Sequence, residues 1–186
     1  MASIFDKIKP DPAAGVKWYQ DQIRKLTNVK GQTERLMRSS NLLTNTVLPG
    51  QMYLYFYDPK HKDKLPYYDT FPLVLPYRKI ADGFYGFNLH YVPYMLRLRI
   101  LQKLAEFTNN EKNDITTRVR LSYSLLSSAA ALKPLQACVK HYLYAHVQSR
   151  FLTIAYPDWL VASQLPVEQF VGANKTAVWR DSRDKV

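Results

Sequence analysis

The sequence predicts an α+β fold, a small bent antiparallel β-sheet over about residues 50–91 packed with several α-helices, and three observations carry that prediction. Met52, Leu54 and Phe56 alternate with Tyr53, Tyr55 and Tyr57, the period of two that a strand with two different faces requires. After Pro93, the residues Met95, Leu96, Leu98, Ile100, Leu101, Leu104, Ala105 and Phe107 crowd more than one stripe of a helix, as in a helix buried over much of its girth. Finally, 186 residues of which 47% are hydrophobic can bury one real core. The single cysteine, Cys138, excludes an internal disulfide, so that core must hold the fold unaided and a reducing compartment is expected.

Taken in order, the chain opens with Asp11-Pro12, an N-cap followed by proline at the first helical position. Val16, Tyr19, Ile23 and Leu26 then recur at spacings of three and four, predicting an amphipathic helix from about Pro12 to Thr27 with Trp18 beside its apolar stripe. That face docks either on the chain's own core or on a neighbouring subunit. Residues 28–46 carry Lys30, Arg35 and Arg38 with scattered leucines and read as a basic arm with a short helix near Thr33 to Arg38. The organisation expected is therefore an amphipathic helix and basic arm over 1–47 and a single α+β domain with an ordered tail over 48–186.

In the central region, the face with Tyr53, Tyr55 and Tyr57 is either a stacking or docking platform or is covered by a second layer, for which the N-terminal helix is one candidate. The segment from Asp58 to Lys64 is a turn carrying Lys60, Lys62 and Lys64, suited to phosphate or an acidic partner and equally to simple solvation. Prolines at 66, 72 and 76 predict a short strand at Leu73 to Leu75, at a sheet edge or a sheet corner. Asp82-Gly83 marks a tight turn into a strand from Phe84, in which Gly86 signals a bulge or a close backbone approach. In the helix after Pro93, Arg97, Arg99 and Lys103 are assigned to the side that stays wet or faces an acidic partner. A second helix is expected from Asp114 or Thr116 towards Ala131, and a third from Pro134 carrying Leu135, Cys138, Val139, Tyr142, Leu143 and Val147. Phe151 to Ala155 reads as a strand and Pro157 to Gln164 as a helix. Trp179, close to the end, implies that the tail is tied down onto this chain or a partner.

Charge bounds the partners. An excess of 26 Lys and Arg over 15 Asp and Glu gives +11, which favours a polyanion or an acidic protein surface as neighbour. The N-terminus lacks a basic region followed by an apolar run, and no window approaches membrane-span length, so neither export by a cleavable signal nor a membrane partner is expected. Catalytic signatures are lacking too. The Gly83 to Gly86 stretch has neither the spacing nor the lysine of a phosphate loop. One cysteine, with His141 and His146 five apart on an assumed helix, makes no zinc set. Cys138 and His141 on that same helix make no nucleophilic pair. Asp69 and Asp82 form a carboxylate pair only if the fold joins them. The expectation is a protein that is not an enzyme and uses no cofactor or metal.

Several stretches taken together resemble one family: Met52 to Lys60, Leu65-Pro66-Tyr67-Tyr68-Asp69, Phe71-Pro72-Leu73, Asp82 to Gly86, Asn88-Leu89-His90-Tyr91 with Pro93, Lys140 to Leu143, and Val178 to Arg183. The chain is similar, from about Pro12 to its end, to a virion-associated protein family of large contractile-tailed bacteriophages, the myoviruses. The resemblance brings no catalytic residues. It implies synthesis in the host cytoplasm, the virion as destination, and tail, neck or head proteins as neighbours. Two readings follow. In the first, the protein is a structural or assembly component of the tail, baseplate or neck in a symmetric multi-subunit assembly, docking through Trp18, Tyr53, Tyr55, Tyr57 and Trp179. In the alternative it binds DNA at packaged genome ends, with Arg35, Arg38, Lys60, Lys62 and Lys64 on phosphates and the tyrosines on bases. The spread of basic residues along the chain favours the first.

Overall fold

A computed structural model describes residues 42–108 and 133–184 throughout, residues 13–25, and the single positions 8, 11, 34, 36, 37, 124, 126 and 128. Among these the helices are α1 (Val16–Lys25), α2 (Tyr94–Thr108), α3 (Lys133–Gln136), α4 (Trp159–Gln164) and α5 (Lys175–Asp184). The strands are β1 (Leu43–Thr44), β2 (Met52–Leu54), β3 (Tyr68–Asp69), β4 (Leu73–Ile80), β5 (Gly83–Asn88), β6 (Val139–Leu143), β7 (Phe151–Ile154) and β8 (Phe170–Val171). Six of them form one antiparallel sheet in the order β1-β7-β2-β4-β5-β6, while β3 and β8 make a separate two-stranded ribbon. The α+β prediction is met, with a larger sheet than residues 50–91 alone supply.

Alternation in β2 decides the layering. Met52 and Leu54 pair with Ile154 and Leu152 on one face and join the main core. Tyr19 and Ile23 of α1, Leu101 and Leu104 of α2, and Trp159, Val161 and Ala162 of α4 close that core from the helical side. Tyr53 pairs with Val74 and Thr153 on the opposite face. There Tyr53, Tyr55, Tyr57, Val74, Phe84, Tyr142 and Phe151 pack with Val47 into a second core. The two clusters explain how a modest chain stabilises a six-stranded sheet, since each face buries its own apolar residues.

Three expectations are corrected. The strand at Leu73 is neither short nor at an edge: β4 spans eight residues between β2 and β5. Pro76 is accommodated by a register shift between Pro76 and Arg78, where an irregularity relieves the ladder of the donor proline lacks. The helix expected through Cys138 to Val147 is confined to Lys133–Gln136, and Val139–Leu143 is strand β6, paired along its length with β5. Arg97 is fully buried rather than wet. Its Nε donates to the Val92 carbonyl (2.9 Å), Nη1 to that of Ser163 (2.9 Å) and Nη2 to that of His90 (3.3 Å), while Tyr94 lies under its guanidinium at 4.5 Å. The expected arm helix is described only at Glu34, Leu36 and Met37, and the expected helix from Asp114 only at Ser124, Leu126 and Ser128; the rest of both lies outside the described residues.

Close approach, not left-handed backbone, explains the strand glycines. A Cβ on Gly86 would overlap the Val74 side chain, and one on Gly83 would overlap the backbone carbonyl of Tyr142. The loop before Gly83 is two residues, Ala81 and Asp82, closing the β4–β5 hairpin between Ile80 and Gly83.

Candidate nucleic-acid interface

The basic turn is held from below. Asp58 N donates to the His146 carbonyl (3.0 Å), the His146 ring nitrogen Nδ1 bonds the Asp58 carbonyl (2.9 Å), and Tyr57 N donates to Thr70 O (3.0 Å). Within the turn, Lys62 Nζ bridges both Asp58 carboxylate oxygens at 3.0 and 3.1 Å, so its charge is already engaged. Lys60 and Lys64 are exposed and have no carboxylate partner among the described residues.

Between this turn and β6 lies a pocket of about 310 Å³. Lys60 and His61 form one rim and Lys140 and His141 the other, with the rings of Tyr57, Tyr68 and Tyr91 between them. Both rims have fixed geometry. Lys140 Nζ sits over the Tyr91 ring at 4.0 Å, a cation–π contact that orders the ammonium. The His141 ring stacks on Tyr85 at 4.9 Å. β6 is the terminal strand of the sheet, so one side of its backbone faces the pocket. Leu143 N points off that side to the Tyr57 hydroxyl (3.2 Å), whereas Tyr144 N turns inward to Asp82 O and Cys138 O accepts from Asn88 N. By antiparallel alternation, the His141 N–H shares the outward side with Leu143.

The floor is a buried polar network, in which His90 Nε2 is left without a hydrogen-bond partner among the described residues. Asp69, 4% exposed, accepts from Phe71 N (3.0 Å) and Gln169 N (3.2 Å) at Oδ1, and at Oδ2 from Asn88 Nδ2 (3.2 Å) beside the His90 Nδ1 contact at 2.7 Å. Asn88 Nδ2 also donates to the Tyr142 hydroxyl (3.1 Å), and its Oδ1 accepts from His90 N (3.0 Å). Burial by itself raises the Asp69 pKa, but the adjoining His90 and the Phe71 and Asn88 amide donors more than offset it and leave it below the ordinary value. The carboxylate is therefore ionised, with its acceptor positions engaged by these neighbours.

The other residues singled out in the sequence fall elsewhere. Tyr53, Tyr55 and Tyr57 are at most 7% exposed and belong to the second core, so they offer no stacking platform. What covers them is the segment holding Val47 together with Tyr142, Phe151 and Val147, and not helix α1, which docks on the main core. Trp18 is 36% exposed and meets Tyr19 edge-on at 4.9 Å. Trp179 is tied to its own chain, with Nε1 donating to the His90 carbonyl (2.8 Å) and its ring against Tyr94 at 5.3 Å. Arg35 and Arg38 lie outside the described residues. Asp69 and Asp82 make no pair: Asp82 lies 3.9 Å from His141, and Asp69 belongs to the buried network. Lys140 and His141 were hidden from sequence reasoning by the helical assignment of Val139–Leu143. The signal available was Val139, Tyr142 and Tyr144 around Lys140-His141, a β-favouring composition. A second groove of about 350 Å³ is lined by Lys79, Arg150 and Tyr144.

Among the described residues, no three His, Cys, Asp or Glu side chains gather as metal ligands, and no helix is long and apolar enough to cross a membrane. No curated protein and no solved structure matches the chain. A family model does, over residues 2–182, and it is that of the phage T4 terminal DNA protecting protein. With almost the whole chain matched, the phage context implied by the Met52 to Arg183 motifs holds, and the chain belongs to the phage T4 terminal DNA protecting protein family.

Proposed function

We propose that this protein binds the ends of packaged phage DNA and shields them by occupation, without catalysis, as a component of the virion. The observation that carries this reading is the family match, whose description names protection of terminal DNA. A net charge of +11 supports it, because phosphate neutralisation with counterion release supplies most sequence-independent affinity. Of the two roles weighed from the sequence, action on genome ends gains this support. Burial of Tyr53, Tyr55 and Tyr57 also removes the flat docking surface on which the tail or baseplate role partly relied.

The test is exonuclease protection. Linear duplex DNA preincubated with the protein should survive a processive exonuclease at low salt, and protection should fall steeply as salt is raised, following a log–log binding slope of about −0.9 per phosphate contacted. Linear DNA degraded at the unprotected rate under saturating protein at low salt would refute the proposal.

A further inference from the structure

We propose that the pocket between the basic turn and the β6 edge is the seat of the DNA terminus itself, holding one phosphorylated terminal nucleotide. This rests on the end-binding reading above and specifies where and how the end is held. At about 310 Å³ the space suits a single nucleotide and not a duplex. The buried residues Asp69, Asn88 and Tyr142 form its base, and it is open to solvent above them. A one-nucleotide pocket with a buried base admits a terminal nucleotide more readily than an internal one, which must carry chain past the mouth in both directions.

The lining matches the ligand in kind. Lys60 and Lys140 stand on opposite rims with His61 and His141 beside them, and the His141 backbone N–H faces the same opening. The Lys140 ammonium is already positioned by Tyr91, which lowers the ordering cost of a phosphate contact. Lys62, the third cation of the neighbourhood, is held by Asp58 and does not line the pocket. Tyr68, half-buried at the pocket, supplies aromatic surface for the sugar or base.

The experiment compares four DNAs of equal length and sequence: linear with 5′-phosphates, linear with 5′-hydroxyls, covalently closed circular, and linear with 3′-phosphates to assign the strand end. Binding is measured by filter retention at low salt on the full chain. The wild type should prefer the phosphorylated linear form by about tenfold or more over the hydroxyl and closed forms, the size of one charge-assisted contact set. The K60Q/K140Q variant should bind phosphorylated linear DNA no better than it binds the closed circle. K79Q, on the separate groove, should keep the wild-type ratio. A nucleoside 5′-monophosphate should compete with the linear form and the matching nucleoside should not. If wild-type protein binds and protects linear DNA with no preference among these forms, or if K60Q/K140Q keeps the preference, the pocket assignment is wrong while end protection stands. If no linear DNA is bound or protected, both proposals fall.

Discussion

Arg97→Met probes the joint on which the helical side of the fold turns. The guanidinium is fully buried and gathers three carbonyls from two segments: His90 and Val92 just before α2, and Ser163 in α4; the His90 carbonyl also accepts from Trp179 of α5. Burial lowers its pKa from the ordinary arginine value, yet a guanidinium stays protonated at neutral pH. Each hydrogen bond from a charged donor is worth about 1.5–3 kcal/mol, so three amount to roughly 5–9 kcal/mol gross. Against this stands the desolvation of a fully buried ion, several kcal/mol, which methionine does not incur. The balance is a loss of about 2–4 kcal/mol, or roughly 5–15 °C in Tm for a chain of this size. Urea unfolding followed by tryptophan fluorescence measures it, with the midpoint moving and the slope unchanged. Arg97→Lys should recover less than half, because one compact ammonium cannot reach three divergent carbonyls. A methionine variant as stable as the wild type would refute this account, since it would mean that the carbonyls lose nothing when their donor is removed.

The remaining predictions concern the sheet and the pocket floor. Gly86→Ala should destabilise by about 1–3 kcal/mol through overpacking on Val74, and adding Val74→Ala should recover part of the loss. Gly83→Ala should not be rescued by any side-chain change, because its Cβ meets backbone; matched urea midpoints for the three variants check this. The Asp69 pKa lies below its ordinary 3.8, so the stability it confers is fully present above that value and is lost as pH falls through the lower folded one. Asp69→Asn should therefore flatten the fall in stability as pH drops below about 4, and an unchanged slope in urea midpoints would count against it. Burial pushes the Cys138 thiol up to about 12, so a thiol reagent at pH 8 should label it only after unfolding; complete labelling within seconds in native buffer would contradict its burial.

Elements with a strong local period were legible. Tyr19 and Ile23 dock as the three-and-four spacing requires, and Met52 to Tyr57 sorts onto two faces as alternation requires. What local pattern cannot carry is the partner. Cys138, Val139, Tyr142 and Leu143 satisfy a helical spacing, but β5 offers an open edge whose ladder bonds outweigh it, and that long-range fact is absent from the segment itself. Pro76 argues for an edge strand by its missing N–H, yet a bulge meets the same constraint within a central strand. Arg97 sits among Leu96, Leu98 and Leu101 like any solvated cation, and the carbonyls that bury it come from 66 residues downstream as well as from nearby. Of the site, Lys60 was legible as a loop cation, while the Lys140 and His141 rim was not, because it exists only once β6 is placed beside β5.

Covering both faces of the sheet has a consequence for recognition. With helices on one side and the tyrosine core on the other, the open surfaces near β6 are its terminal backbone edge and the loop beside it. A flat aromatic sheet would stack any single strand along its length and so could not separate an end from an interior. On the proposed end-binding reading, a one-nucleotide pocket beside an edge strand reverses that balance: charge spread over the chain would supply affinity, and the few groups that meet at the pocket mouth would supply selectivity. The buried Asp69, Asn88 and Tyr142 network would serve that division of labour by forming the base of the pocket with the carboxylate already engaged by its neighbours.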